Sequence, residues 1–95
     1  MAKHQALMHD TRDDVAVTIR DVIGGELVRI KAIDDQDVVS ITARENVPLG
    51  HKISVRDIKK GSSVIKYGHA IGVATQVIPV GAHVHVHNIK SVRWS

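Results

Sequence analysis

Fifteen valines and eleven isoleucines stand against three leucines in this chain of 95 residues, and that ratio constrains the fold more than any other feature. A side chain branched at Cβ loses rotamer freedom in a helix but suits the pleated surface of a sheet. The apolar residues also alternate with polar ones in "VAVTI" (15–19), "LVRIKAI" (27–33) and "VVSITA" (38–43), so that Val15, Val17 and Ile19 share a face and Val28 and Ile30 flank Arg29. Strict alternation is the period of a half-buried strand, and no window holds a helical period. The sequence predicts an all-β chain with at most short helical turns.

Turn residues separate these runs at "IGGE", "DDQD" (34–37), "VPLG", "KKGSS" and "IPVG". Aligning the turns brings out a repeat: an apolar residue, two variable positions, a glycine, and another apolar residue three further on. It occurs as Val22–Gly25–Val28, Val47–Gly50–Ile53, Ile58–Gly61–Val64 and Ile78–Gly81–Val84. Each copy reads as a tight turn feeding a strand, with glycine supplying a backbone conformation that other residues resist. The unequal spacing of the four glycines argues against a solenoid, whose period is constant, and for a folded-over sheet with recurring turn chemistry.

Length and composition narrow the function. Ninety-five residues make one domain, 1–95, with a modest core. The chain has no Cys, so disulfides and thiolate metal ligands are excluded, and no apolar run long enough for a signal peptide or a membrane span. A cytoplasmic protein with no membrane association is the expectation. One Tyr, one Trp and no Phe leave no base-stacking platform, and Asp10, Asp13, Asp14 and the acidic tract at 34–37 interrupt the positive surface that Lys90 and Arg93 begin. No nucleic-acid partner is expected. The chain also lacks a phosphate-binding loop, a nucleophile elbow and a dinucleotide fingerprint.

The stretch "GAHVHVHN" (81–88) places His83, His85 and His87 at alternate positions. On a strand they would share one face at about 6.6 Å per step, which lets two imidazoles reach one divalent transition ion while the third meets substrate or solvent. Read without a ligand, the same row is a solvated strand face alternating with buried Val84 and Val86. His51 follows Gly50 in the second turn and has the ordinary imidazole pKa suited to acid–base work, although an exposed turn residue is the plain alternative.

The segment "VPLGHKISVRDIKKGSSVIKYGHAIGVATQVIPVGAHVHVHNI" (47–89) resembles the SAF, or β-clip, domain of the altronate and galactarate dehydratase family, a group that includes the small subunit of sulfolactate sulfo-lyase. The resemblance lies in "GHK" (50–52), "VIKYG" (64–68), "IG" (71–72) and "HVHVHN" (83–88), with "DDVAVTIRDVIGGE" (13–26) similar to the family's N-terminal segment. It implies a compact β-clip and the small subunit of a hydroxy-acid lyase, eliminating water or sulfite in a site completed by a large catalytic subunit. It further implies His51 and His85 as catalytic, Lys66 and Asn88 as substrate-binding, and His83, His85 and His87 as ligands of iron or manganese. Lys66 is also readable as the outward residue of a strand whose Ile65 and Tyr67 point inward. A docking module without catalytic residues, and a stand-alone metal or small-ligand binder, are the alternative functions.

Overall fold

A computed structural model describes residues 4–33 and 38–91. The acidic tract at 34–37, read above as a turn, and Arg93, read as part of a positive end, lie outside them. Nine strands and no helix make up the described residues: β1 (Ala6–Met8), β2 (Val15–Thr18), β3 (Leu27–Ala32), β4 (Val38–Thr42), β5 (Lys52–Ser54), β6 (Ser63–Lys66), β7 (His69–Ala74), β8 (His83–Val84) and β9 (Ile89–Ser91). Six form one sheet in the order β4-β3-β1-β2-β5-β8, parallel only between β1 and β3, and three form a second in the order β6-β7-β9. The all-β fold expected from the β-branched residues is the fold found.

The four-fold repeat organises the molecule. In each copy the residue after the glycine donates its N–H three residues back, from Glu26 to Ile23, His51 to Pro48, Ser62 to Lys59 and Ala82 to Pro79, at 3.0–3.1 Å. Gly25, Gly50, Gly61 and Gly81 have φ of 95°, 83°, 87° and 88°, the third-position geometry of a type II turn. The copies are paired. Val22 and Val47 exchange two backbone hydrogen bonds, at 2.8 Å each, and Ile58 and Ile78 exchange two at 2.7 and 2.9 Å. The residue preceding a bridge then caps the opposite turn: Asp21 Oδ1 accepts from Leu49 N–H, Asn46 Oδ1 from Gly24 N–H, and Asp57 Oδ1 from Val80 N–H.

Each pair builds its own core. Val22, Val28, Val47 and Ile53 pack with Ala6, Met8, Ala16, Ile30, Ala32 and Ala43. Ile58, Val64, Ile78 and Val84 pack with Val15, Ala74 and Ala82. Neither holds an aromatic side chain, so each layer is thin, and the smallest dimension of the molecule is 19 Å. Asp14 and Arg56 join the halves. Asp14 exchanges hydrogen bonds with the main chain of Ile65, through its backbone N–H and its Oδ2, while its Oδ1 pairs with Arg56 Nε at 3.2 Å. Arg56 also donates to the carbonyls of Thr11 and Asp13.

The turn glycines are not equivalent. A Cβ on Gly61 would meet open space, whereas one on Gly81 would run into the Thr42 carbonyl oxygen and press on the stem of Arg44. Gly61→Ala therefore carries only the cost of the left-handed backbone, about 1–2 kcal/mol, or roughly 5–10 °C of Tm in a chain this size. Gly81→Ala adds a backbone collision and should lose at least twice as much in thermal melts of the two variants.

Candidate functional site

The histidines lie where the two halves meet, at the pairing of β5 with β8. His51 closes the second turn, and its backbone carbonyl accepts from Thr18 N–H at 2.9 Å and from Thr18 Oγ1 at 3.2 Å, which holds the residue against buried β2. His83 opens β8 opposite Ile53, its N–H donated to Glu45 Oε2 at 2.9 Å. The strand ends at Val84, so the histidine row does not continue along one strand face. Residues 85–88 turn instead, and Val86, expected to be buried, is 81% exposed.

Asn88 makes that turn. Its buried side chain accepts from His85 N–H at 3.0 Å through Oδ1 and donates to the His83 carbonyl at 2.7 Å through Nδ2, while its N–H returns to the His85 carbonyl. Both ends of the amide thus hold the two histidines' backbone, a positioning task. The turn curls His85 back toward His51.

The structure therefore brings together His51, His83 and His85, whose ring nitrogens lie within 4.8 Å of one another. His51 Nδ1 and His83 Nε2 are 2.8 Å apart, one donating and the other accepting, and the His51 ring stacks on His85 with centroids 4.2 Å apart and planes 22° from parallel. His87 stands outside this triad, exposed, with its ring 5.1 Å from that of His83. Lys66 is not at the site. Its Nζ lies 3.7 Å above the ring of Tyr67, which is 51% exposed in the β6–β7 turn at φ 57° rather than pointing inward, and both line an apolar cleft of about 230 Å³ with His9 and Asp13.

Three imidazoles are a donor set for a divalent transition ion. Two nitrogens each about 2.1 Å from one ion stand roughly 3.0–3.4 Å apart, so His51 and His83 need open by only a few tenths of an ångström. The residues fit such an ion. Burial first, and then the neighbouring imidazoles, push His83 below the usual histidine pKa, with Glu45 opposing; burial, His51 and the Lys52 ammonium do the same to His85. Both shifts favour the neutral imidazole, the form that ligates a metal.

The family motif placed His51 where it could share a site with the row, but the sequence did not single out Glu45, Lys52 or Arg44. A signal was available for His51: it and His83 each follow a turn glycine within two residues, in copies of the motif whose strands pair with each other.

An all-β clip of paired turns carrying a three-histidine centre on its junction is the class that fold and site define. The chain belongs to the family of the altronate/galactarate dehydratase SAF domain, whose family model matches residues 4–92. It is 36% identical over 89 residues to the alpha subunit of (2R)-sulfolactate sulfo-lyase from Chromohalobacter salexigens, covering 93% of this chain and 95% of that one. It is 42% identical over 60 residues to the corresponding subunit from Paracoccus pantotrophus, covering 63% of this chain and 90% of that one. Against altronate dehydratase of Bacillus subtilis it is 41% identical over 80 residues, 84% of this chain but 15% of that enzyme.

A histidine with a lowered folded pKa leaves stability unchanged well above about 6.5 and costs stability as pH falls through that value, because the unfolded chain takes the proton first. Melting temperature should therefore fall between pH 7.5 and 5.5, and His83→Gln should flatten the slope in that window. A slope unaltered by the substitution would show that His83 carries no such shift.

Proposed function

We propose that this chain is the small subunit of a hydroxy-acid lyase, a single domain spanning 1–95 that lends its histidine centre to a site completed by a large catalytic subunit in the cytoplasm. The observation that carries the reading is the convergence of His51, His83 and His85 in a chain that matches a sulfo-lyase alpha subunit over almost its full length. Among the described residues the clefts are open to solvent, while a sugar acid or sulfolactate presents carboxylates and hydroxyls that need convergent polar contacts in a concave site.

In this reading His51, His83 and His85 hold a divalent ion, iron or manganese, which supplies Lewis acidity toward a carboxylate or hydroxyl oxygen. The chain's own residues do the rest. Asn88 fixes the backbone of His83 and His85, and Glu45 fixes the N–H of His83. His87, beside the triad but outside it, is the imidazole left to exchange a proton with the reacting hydroxy acid. Water or sulfite leaves as a C–H proton is taken up, so the products balance without an external oxidant or reductant.

Two measurements test this. Metal titration of the chain, followed by the ring signals of its histidines, should lose at least ten-fold in affinity on His51→Ala and little on His87→Ala; a row-type site would give the opposite order. Because burial and the neighbouring imidazoles lower the proton affinity of His83 and His85, uptake should extend to lower pH than at a site of ordinary imidazoles, and be lost as the pH falls further. In the complex reconstituted at saturating small subunit, His85→Ala should lower turnover roughly 100-fold while association is retained. Full turnover of that variant would leave docking as the subunit's only task.

A further inference from the structure

We propose that Arg44 and the cleft beside it form the subsite that receives the carboxylate of the hydroxy acid. The proposal rests on the lyase reading above and adds to it the group that recognises the substrate. The cleft, about 350 Å³, is lined by Arg44, Glu45, Gln76, His87 and Asn88 among others. Three of these tie it to the histidine centre: His87 through its ring contact with His83, Glu45 through the hydrogen bond from His83 N–H, and Asn88 through its bonds to the backbone of His83 and His85. The pocket and the histidines are thus one continuous surface.

Arg44 is placed there by the turn that feeds β8. Its N–H donates to the Gly81 carbonyl at 2.9 Å, and its Cγ lies 3.3 Å from where a Gly81 side chain would begin, so the stem rests on the bare α-carbon of that glycine. The main chain and the first part of the side chain are therefore held while the charged end is exposed. The ion pairs among the described residues engage Arg12, Arg20 and Arg56, and leave the Arg44 guanidinium without one. A planar guanidinium takes a carboxylate in two parallel hydrogen bonds, which a lysine ammonium cannot reproduce.

The acid beside it completes the recognition. Glu45 spends Oε2 on His83 N–H and has a second oxygen that accepts from a hydroxyl. A cation that takes a carboxylate and an acceptor that takes a hydroxyl, side by side, select a hydroxy acid over a dicarboxylate without hydroxyls, which Glu45 repels, and over a neutral polyol, which Arg44 ignores. Lys66, the cation expected from sequence to do this, lies in the other cleft.

The test follows the Arg44 Nε–H signal of the chain by NMR during titration with altronate, with sulfolactate and with the neutral polyol glucitol. Zinc uptake is measured separately on the same samples. The expected result is a saturable Arg44 shift with at least one of the two acids and none with glucitol. Arg44→Ala should weaken acid binding at least ten-fold, Arg44→Lys should restore part of it, and zinc uptake should stay unchanged in both, as expected for loss of a charge-assisted contact away from the ligands. An unmoved Arg44 signal, an equal response to glucitol, or Arg44→Ala binding acid within two-fold of the native chain each overturns the subsite. If the acid moves Arg44 in a chain that takes up no zinc, the subsite stands and the metal-centre reading fails, so the two failures are told apart.

Discussion

Reciprocal backbone pairing of the turn motifs is the interaction on which the rest of the molecule depends. A chain with no Phe and a single Trp cannot rely on large aromatic side chains to fill a core. It instead folds each pair of turns against its mate, so that two short hydrogen-bonded bridges, Val22 with Val47 and Ile58 with Ile78, bring four branched side chains to one point in each half. The bridges are buried, and a buried N–H or carbonyl without a partner costs about 1–3 kcal/mol, so the exchange is tightly specified. Loss of one turn therefore removes both a bridge and a share of a core.

The candidate site inherits its position from that arrangement. His51 and His83 follow glycines of two different turn pairs, one in each half, and come together because β5 pairs with β8 across the junction. Their separation is consequently set by the same backbone bonds that hold the halves, with Thr18 clamping one side and Asn88 the other. A centre built across such a junction is preorganised, since no long side chain has to be ordered to form it. Burial and the closeness of the rings both depress basicity, which favours for His83 and His85 the neutral form that a metal requires.

The sequence carried much of this, for identifiable reasons. The β-branched excess and the four glycine turns are local properties, and local properties survive the loss of three-dimensional information; the strands over 15–18, 27–32 and 38–42 and the four turn glycines of the repeat, all with positive φ, are where they were expected. The family was legible because its motifs are short and contiguous. Treating "HVHVHN" as one strand overlooked that Asn88 bonds back to His83 and His85 and bends the chain, which exposes Val86 and sends His87 away from the triad. Lys66 fell in a conspicuous motif but faces Tyr67 in another cleft.

By itself, then, the sequence determined the class of backbone, the turn type and the residue types available for chemistry, because Cβ branching and glycine act within a few residues of themselves. Only the tertiary structure decided which histidines meet. Strand pairing between residues 30 apart is a matter of register, and register depends on how two cores close around their bridges rather than on any local spacing. The same closure set Arg44 on Gly81 and gave the exposed cation a place beside the histidine centre.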